Sequence, residues 1–472
     1  MQFYEWLGSF RQGHRLAWLY VGYALTTGLF LVLATPPFQT PDSVNHFFRA
    51  VQISEGHLLS ERAGNTSGGP MDASLVDFSD MFHPLAGHQD VKMNAQLQAQ
   101  SDGRQWGGER RVVEFPGTAI YPAYAYLPQA ITVAFARAAH VSVSSTYRLT
   151  CIVDLLVSVA LTVAALRLGR RTALWIFAVG LLPSTLMLYS SVSQEVLLLP
   201  VCFLLIAALD RAFDDGRPIG YAPLVLAALA AAACVTARPP YLGFLLLGLC
   251  PALAWASGNG AYAGTRRIGL LLAAAIVSIA VVSVGSISAW APVPPPRSES
   301  GQIAFVLHHP FEIPRIAVAT LHQNARFYFE SMIGVLGWLD THMHRDYYRV
   351  AGLMAAALAV VTLLERRAVT RVFRRVDRAI VAIVLLVCVA MIFAALYVSW
   401  TPVGQRIVEG VQGRYFLPLL PLLALLLPQR LHSVAQSRVV AVATTVCLTV
   451  VLIFPLYTFV ETVEAILRRF YV

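Results

Sequence analysis

The sequence predicts an all-α integral membrane protein that crosses the bilayer many times. Hydrophobic residues make up 57% of the chain and charged residues only 13%, and the mean hydropathy is +0.63. Apolar runs close to the roughly 20 residues that a transmembrane helix needs recur along the whole chain. Arginines cluster in short segments between those runs, as expected of cytoplasmic loops. We therefore expect a single integral membrane domain over residues 1–472.

Eleven stretches are apolar enough for us to predict them as membrane spans. They are 16–34, 148–166, 172–190, 195–211, 220–237, 240–256, 268–290, 347–364, 379–400, 415–429 and 438–460. Two long loops lie between them, 35–147 after the first span and 291–346 after the seventh. We expect both loops to carry helices that lie along the membrane surface, because charged residues and prolines interrupt their apolar segments.

The arginine-rich segments decide the predicted orientation, because positive residues in short loops stay on the cytoplasmic side. The arginines concerned are Arg11, Arg15, Arg167, Arg170, Arg171, Arg266, Arg267, Arg366, Arg367, Arg371, Arg374, Arg375 and Arg378. All of them become cytoplasmic together if the segment 119–139 is re-entrant or interfacial and does not cross. The amino terminus is then cytoplasmic, whereas both long loops and the carboxyl terminus are external. Arg468 and Arg469, near that terminus, depart from the rule.

The net charge of +9 follows from this topology and indicates contact with anionic lipids, not with nucleic acid. The sequence has no phosphate loop, no dinucleotide fingerprint and no cytoplasmic segment long enough to hold a nucleotide sugar. Its six cysteines all fall inside predicted spans, so we expect neither a disulfide framework nor a thiolate metal site.

A short polar helix is predicted directly after the first span, in PPFQTPDSVNHFFRAVQISEG. Thr40 is suited to cap it, Pro41 to occupy its first turn, and Gly56 to end it. Three reactive side chains fall at spacings of four and three along one face: Asp42, His46 and Arg49. This arrangement favours chemistry at the external membrane surface.

Further polar residues follow later spans or lie in the second loop, and the predicted topology places them at the same surface. An arginine or aspartate left in hydrocarbon costs about 2.5 to 3.5 kcal/mol, so such residues usually face water, a partner or a ligand. The candidates are Glu195 in SSVSQE, Arg238 in ARPPY, Trp338 and Asp340 in GWLD, and Arg406, Gln412, Arg414 and Tyr415 in TPVGQRIVEGVQGRYFLP. We expect one outward-facing site to gather them.

Four segments carry a resemblance to a known family: PPFQTPDSVNHFFRAVQISEG, ARPPYLGFLLL, IGVLGWLDT and GVQGRYFLPLLP. They resemble, in order and over nearly the whole chain, an uncharacterised family of bacterial polytopic membrane proteins grouped with the C-type (GT-C) glycosyltransferases. The resemblance implies a GT-C-like architecture in the bacterial cytoplasmic (inner) membrane. It also implies sugar transfer from a polyprenyl-phosphate carrier on the periplasmic face, with Asp42 as the general base and Glu195 at a second acidic position. Such loops often read Pro-Asp-Glu, whereas Ser43 follows Asp42 here, which weakens any claim to a paired carboxylate and a divalent cation.

The chemistry of such a transfer explains these residue types. The acceptor hydroxyl loses its proton as it attacks an oxocarbenium-like centre, and one carboxylate suffices as the base. The phosphate leaving group needs cations, for which Arg414 is the first candidate and Arg238 and Arg49 are the next. His46 is expected to orient Asp42 or to bind a sugar hydroxyl. No cofactor is certain from the sequence, and a divalent cation stays open. We expect a polyprenyl-phosphate-linked sugar as donor, and a cell-envelope glycan or lipid-linked molecule as acceptor.

Each assignment has a structural alternative. Asp42 and Glu195 are suited to stabilise helix ends, and Arg414 with Tyr415 to anchor a span at the interface. The prolines after Arg238 are also typical of a tight turn. Trp338 and Asp340 either contact a sugar or stabilise a helix end, and the paired histidines of the second loop are weak evidence for a metal. At the level of the whole protein, the alternatives are a lipid-linked sugar or polysaccharide transporter (a flippase) and a non-catalytic component of a polysaccharide assembly complex.

Overall fold

The computed structural model describes residues 13–215, 221–253, 262–364, 366–367, 375–428, 430–431 and 438–472. Within these ranges the fold is mostly helical. The α-helices are α1 (Gly13–Ala34), α2 (Ser43–Ser54), α3 (Ala73–Phe82), α4 (Ala95–Asp102), α5 (Pro116–Ala119), α6 (Leu127–Ala138), α7 (Val143–Leu168), α8 (Ala173–Gly180), α9 (Pro183–Tyr189), α10 (Glu195–Asp215), α11 (Tyr221–Ala237), α12 (Tyr262–Ala289), α13 (Glu299–His308), α14 (Glu312–Gly334), α15 (Arg345–Leu364), α16 (Arg375–Ser399), α17 (Leu423–Leu426) and α18 (Arg438–Phe470). Short 3₁₀ helices cover His83–Leu85, Ala123–Tyr126, Pro239–Leu249 and Gly413–Leu422.

The strands are short and form three small sheets in the described part of the chain. They are β1 (Glu61–Ala63), β2 (Thr66–Asp72), β3 (Arg110–Glu114), β4 (Val335–Leu336), β5 (Thr341–His342), β6 (Arg366–Arg367) and β7 (Arg430–Leu431). The first sheet has the antiparallel order β1-β2-β3, with Gly68 opposite Glu114. The hairpin β4-β5 pairs Leu336 with Thr341 and closes the GWLD turn.

In the part of the chain that the structure describes, seven helices are long and apolar enough to cross a membrane. They are His14–Ala34, Val143–Leu168, Glu195–Phe213, Arg267–Ala289, Arg345–Leu364, Arg375–Ser399 and Arg438–Phe470. Each coincides with one of the eleven predicted spans. The chain is thus a helical membrane protein with several spans, as its composition predicts.

The other four predicted spans do not form single long helices. The stretch 172–190 is divided into α8 and α9, because Pro183 begins a new helix. The stretches 220–237, 240–256 and 415–429 contain α11, the 3₁₀ helix Pro239–Leu249, and Gly413–Leu422 followed by α17. Residues 220, 254–256 and 429 lie outside the described part of the chain. The total of eleven spans therefore stays a prediction.

The segment 119–139 forms a helix that is short for a membrane crossing. Its main helix α6 has 12 residues, or about 18 Å of length against the roughly 30 Å of a hydrocarbon core. Leu127, Ile131 and Phe135 are exposed on one side of α6, whereas Gln129 and Val133 are buried. This amphipathic helix has the length and the pattern of the predicted interfacial element.

Among the described residues, two large clusters of buried apolar side chains form most of the core, and a small third one joins α2 to the 3₁₀ helix Ala123–Tyr126 and α6. The first joins α1, α7, α9 and α15, and includes Tyr20, Leu155 and Tyr347. The second joins α11, α16 and the 3₁₀ helix Pro239–Leu249, and includes Tyr241 and Val384. Helix α10 contributes residues to both clusters. The start of this helix, where Glu195 lies, is therefore held between the two halves of the core.

The carboxyl-terminal end of α18 lies against residues of both long loops. The Arg469 guanidinium bonds the Asp340 carboxylate at 2.8 Å and also donates to the Leu85 carbonyl. Arg468 donates to the His342 carbonyl at 2.9 Å and to the Glu464 carboxylate at 3.3 Å. These bonds give both arginines acidic or carbonyl partners beside the long loops. Arg468 and Arg469, whose predicted external position departs from the preference of arginines for the cytoplasmic side, thus each have a carboxylate partner and a carbonyl partner nearby.

The predicted orientation depends on arginines of which several are not fully described. Each of these either lies outside the described residues or has a side chain that the structure does not describe. They are Arg11, Arg266, Arg366, Arg367, Arg371 and Arg374. The direction of insertion into the membrane therefore stays a prediction. Both long loops and the carboxyl terminus lie at one end of the helices, because Arg468 and Arg469 contact residues of both loops.

Candidate functional site

The site centres on an ion pair between the first loop and the segment before the last helices. Arg414 Nη2 lies 3.1 Å from Asp42 Oδ2, although 372 residues separate the two in sequence. The Arg414 side chain is only 9% exposed, whereas the Asp42 side chain is 51% exposed. The arginine is thus held within the protein, and the carboxylate faces open space.

The backbone presents Asp42 in an unusual conformation. Helix α2 begins at Ser43, so Asp42 is its N-cap residue, and the predicted cap at Thr40 is wrong. Asp42 has φ 66°, in the left-handed region, and its carboxylate makes no capping hydrogen bond. A non-glycine residue in this region costs about 1 to 2 kcal/mol, and such strain concentrates at functional sites. The Asp42 carboxylate is therefore directed to Arg414 and to the cavity beside it, not to the helix end.

A second ion pair lies behind the first. Arg238 Nη2 bonds Glu195 Oε1 at 2.6 Å, with side chains 15% and 7% exposed. The Tyr415 ring joins the two pairs, because the Arg238 and Arg414 guanidiniums lie 4.5 Å and 5.4 Å from its centroid. Cation–π contacts of this kind help to hold two like charges in one small volume. The four charged side chains sum to zero.

His46 lies close to the two ion pairs. It is buried, with Nδ1 2.7 Å from the Tyr126 hydroxyl and its ring stacked at 6.3 Å on Tyr121. Burial lowers the pKa of His46 below its ordinary value of 6.5, against the opposing attraction of Glu195 and Asp42. Burial likewise raises the pKa of Tyr126 well above its ordinary value. The pair is therefore a neutral imidazole bonded to a neutral phenol at neutral pH.

A cavity of about 390 Å³ opens beside Asp42. It lies between α2, α3, strand β3 and the GWLD turn. Its polar lining consists of Gln39, Asp42, Asn45, Ser79, Asp80, His83, Glu114 and Trp338. Trp338 Nε1 donates to the Phe38 carbonyl at 2.9 Å, which fixes the indole at the rim. The volume falls within the range of small-molecule sites.

A smaller cavity of about 30 Å³ lies on the Arg414 side of the ion pair. Gln412 and Arg414 line it, together with Thr40 and Ser331. Arg414 Nε and Gln412 Oε1 have no hydrogen-bond partner among the described residues. Buried polar atoms are normally bonded to protein or water, so this cavity is suited to a polar ligand atom or a water molecule. Asp42 lines the larger cavity and Arg414 lines the smaller one, so each member of the ion pair borders one of them.

Three predicted site residues have other partners or positions. The Arg49 guanidinium donates to the Gln52 side chain and to the carbonyls of His57, Leu58 and Tyr121, and burial lowers its pKa to about 10. The Asp340 carboxylate is 10% exposed and bonds Arg469 and the Thr341 hydroxyl. Arg406 is exposed on the segment between α16 and Gly413–Leu422. These contacts give Arg49 and Asp340 structural roles, and ligand contact by any of the three stays a prediction.

The structure adds residues to the site that the sequence did not single out. Tyr121 and Tyr126 contact His46, and Asp80, His83 and Glu114 line the cavity. The tyrosines belong to the aromatic run YPAYAY, which was a usable signal for a binding surface. The three cavity residues have no such signal, because isolated polar residues in a loop are common.

The described residues contain no group of three or more histidine, cysteine, aspartate or glutamate side chains placed to hold a metal ion. Of the predicted histidine candidates, His344 bonds Glu461 at 3.0 Å and Glu464 at 3.1 Å. These carboxylates lie on α18, away from Asp42. The direct partner of the Asp42 carboxylate is the Arg414 guanidinium, a cation that competes with a metal ion for the same oxygens.

Most of the chain, including this site, matches a known protein family. The profile of a family described as a predicted membrane protein, DUF2142, matches residues 25–423. The chain belongs to the DUF2142 family. Comparison with curated proteins and with solved structures gives no significant match. In this DUF2142 protein the matched region contains both ion pairs, His46 and the whole cavity lining, whereas Arg469 lies beyond it.

The arrangement in this DUF2142 chain allows two kinds of chemistry. A half-exposed carboxylate at the mouth of a cavity can accept a proton from a hydroxyl group bound there. Two buried guanidiniums beside it can bind an anionic group, particularly one whose negative charge grows during reaction. Because the four charges balance, an incoming anion has to replace a carboxylate on one of the arginines. Arg414 is the accessible choice, since its carboxylate partner is the exposed one.

Proposed function

We propose that this protein transfers a sugar from a polyprenyl-phosphate carrier to a hydroxyl group of a cell-envelope glycan or lipid-linked acceptor. The observation that carries the proposal is the 3.1 Å pair of Asp42 and Arg414 at the mouth of a 390 Å³ cavity. A multi-pass membrane protein with such a site is suited to a donor whose carrier stays in the bilayer. The resemblance to C-type glycosyltransferases supports the same assignment.

The proposed reaction uses one carboxylate and two arginines. The acceptor oxygen attacks the anomeric carbon, the bond from that carbon to the phosphate oxygen breaks, and the acceptor proton moves to Asp42. The leaving polyprenyl phosphate changes from a diester with one negative charge to a monoester with two. Arg414 and Arg238 stabilise this added charge, which is a transition-state interaction and so raises the rate.

Exchange of partners at Arg414 links donor binding to activation of the base. In the free protein the guanidinium holds Asp42 through Nη2, whereas Nε has no partner among the described residues. A donor phosphate oxygen bound at Nε and Nη2 would form the fork geometry that arginine prefers. Asp42 is then released toward the acceptor cavity. Glu195 stays with Arg238, so its role is to hold that arginine in place and not to accept a proton.

The test is a transfer assay on membranes that carry the full-length protein. Wild type, Asp42→Asn, Arg414→Ala and Arg414→Lys are incubated with polyprenyl phosphates bearing different radiolabelled sugars and with isolated surface glycan. Asp346→Asn is the matched control, because it removes another arginine-paired carboxylate, 2.8 Å from Arg349, in a pair whose two side chains are both exposed. We expect transfer by wild type and by the control, and a loss with the Asp42 and Arg414 variants. Equal transfer by all five proteins would overturn the proposal, as would transfer by none of them with every donor.

The proposed external location of the site has its own test. His88 is exposed in the first long loop, and the six native cysteines are buried or partly buried. A His88→Cys variant should therefore react with a membrane-impermeant maleimide in intact cells. Reaction only after permeabilisation would place the site on the cytoplasmic face and would contradict a periplasmic transferase.

One observation favours a second candidate function, the transport of a lipid-linked sugar or polysaccharide. Asp154 is fully buried within the candidate span Val143–Leu168, beside Gln129. Acidic residues inside membrane spans often take part in proton-coupled transport. A transporter requires Asp154 for flux and tolerates Asp42→Asn, whereas the proposed transferase has the opposite requirements. Flux of a fluorescent lipid-linked sugar across proteoliposome membranes, measured for both variants, separates the two functions.

A further inference from the structure

The cavity beside Asp42 has a lining with a distinct charge. Asp42, Asp80 and Glu114 contribute carboxylates, and the described residues that line it include no lysine or arginine. His83 is the single lining side chain that can become a cation. Asp42 is compensated by Arg414, whereas Asp80 and Glu114 are exposed on α3 and β3. An anionic occupant would thus meet repulsion from two carboxylates that have no cation beside them in the lining.

The remaining lining is suited to a hydroxyl-rich ring. Trp338 is fixed at the rim through its bond to the Phe38 carbonyl, and indole faces commonly stack on sugar rings. Asn45 and Ser79 add short polar groups, and Phe48 and Val113 add apolar wall. A small number of polar groups on a mostly apolar surface is the usual composition of a ligand pocket. Carboxylates accept hydrogen bonds from sugar hydroxyls, and they do so more strongly than neutral acceptors.

The cavity is also held in a fixed shape. Phe38 and Asp42, both in its lining, have φ values of 63° and 66°. Leu339, beside Trp338, has φ 62°. Strained backbone persists where the surrounding structure holds it, and it concentrates at ligand sites. Two of the four described non-glycine residues with positive φ therefore line this cavity, and Leu339 lines the smaller cavity on the Arg414 side.

We infer that this cavity is the acceptor subsite and that it accepts a sugar terminus that is neutral or carries an amine, and rejects an anionic one. The inference rests on the proposed function, because it takes Asp42 as the base that deprotonates the bound hydroxyl. It adds the acceptor class: glycans that end in a neutral or amino sugar, as opposed to those that end in a uronic acid or a phosphate. Trp338 provides the stacking surface, and Asp80 and Glu114 provide the charge selection.

The experiment compares three probes on the purified full-length protein: methyl glycosides of glucose, glucosamine and glucuronic acid. Their binding is measured by saturation-transfer NMR, without any donor, for wild type, Trp338→Phe, and the double variant Asp80→Asn/Glu114→Gln. Two uncompensated carboxylates near an anionic probe should weaken its binding about tenfold relative to the neutral probe at low salt. We expect the double variant to reduce this ratio to about twofold or less, and added salt to reduce it in wild type.

The controls separate a binding role from a folding defect. Trp338→Phe keeps an aromatic ring but loses the bond to Phe38, and we expect it to weaken all three probes similarly. Asp346→Asn changes an exposed ion pair that does not line the cavity, and it should match wild type. Equal binding of the glucuronide and the glucoside to wild type would overturn the inference, as would unchanged selectivity in a folded double variant or no detectable binding of any probe.

The two proposals fail in different ways. If Asp42→Asn leaves sugar transfer unchanged but the probes show the expected selectivity, the proposed function is wrong and the cavity is still a sugar site. If transfer depends on Asp42 and Arg414 but the double variant keeps both the acceptor KM and the probe selectivity of wild type, only the acceptor inference is wrong.

Discussion

The substitution Asp42→Asn gives the sharpest test of the proposed chemistry. It removes the charge and the ability to accept a proton, while it keeps the size and shape of the side chain. Asparagine also tolerates the left-handed conformation at φ 66° better than other non-glycine residues. The variant should therefore fold, and its effect should appear in the chemical step.

The expected magnitude follows from the structure. A positioned general base usually contributes about 100- to 10,000-fold, or roughly 2.7 to 5.4 kcal/mol of the barrier. Loss of the negative charge opposite Arg414 is expected to have a smaller effect, because the Asp42 side chain is 51% exposed and the asparagine side-chain carbonyl can still accept a hydrogen bond from the guanidinium. We expect transfer to fall by at least about 100-fold and the melting temperature to change by about 3 °C or less.

The assay measures label transferred per folded protein, with the folded fraction taken from fluorescence-detected size-exclusion chromatography. Asp42→Ala serves as the comparison, because alanine at a left-handed position adds a backbone cost of about 1 to 2 kcal/mol. Asp42→Ala should therefore lose both activity and stability, and Asp42→Asn mainly activity. A folded Asp42→Asn protein with transfer within threefold of wild type would refute the role of Asp42 as the base.

Three further predictions concern the surroundings of the site. Glu195→Gln leaves the Arg238 charge buried without its partner, so we expect about 3 kcal/mol of lost stability, measured by thermal unfolding in detergent. Burial lowers the pKa of His46, so the unfolded chain binds a proton at this residue more readily than the folded protein does. The stability that the neutral His46 contributes is therefore complete above pH 6.5, and it decreases as the pH falls below that value. A His46→Gln variant should therefore show a weaker loss of melting temperature between pH 7 and about pH 5 than wild type does. Asp340→Asn, which weakens the buried pair with Arg469, should lower the melting temperature while the acceptor KM stays unchanged.

Each of these has a distinct contrary result. Unchanged stability of Glu195→Gln would show that Arg238 finds another partner, and the double variant Glu195→Gln/Arg238→Gln should recover part of any loss. A parallel pH dependence of wild type and His46→Gln would assign the acid sensitivity to other groups. A raised acceptor KM in a stable Asp340→Asn protein would restore the predicted contact of this carboxylate with the sugar.

The membrane class and most span positions were predictable because hydropathy is a local property. All seven long apolar helices coincide with predicted spans, since each needs only a run of apolar residues to be recognised. The break at 172–190 had a local signal in Pro183, whereas the 3₁₀ helix Pro239–Leu249 was less accessible, because it depends on how neighbouring helices pack. The residue types of the site were also predictable, since a charge beside a span has a high cost unless it has a partner.

The partners of those residues were not predictable from local sequence. Arg49 and Asp340 have the same chemical character as Arg414 and Asp42, yet the first is bonded mainly to loop carbonyls and the second to Arg469. No spacing rule relates Asp340 to an arginine 129 positions away. The left-handed conformation of Asp42 likewise depends on the surrounding loop, because its own sequence TPDS is typical of an ordinary helix start.

By itself, the sequence determined that this chain is a helical membrane protein, and it located the candidate site residues at the ends of predicted spans or in the loops between them, because exposing charge to lipid has a high cost. The tertiary structure decided which carboxylate faces which guanidinium, and which of them borders a cavity. Such pairings depend on contacts between segments hundreds of residues apart, and those contacts form only when the helices pack.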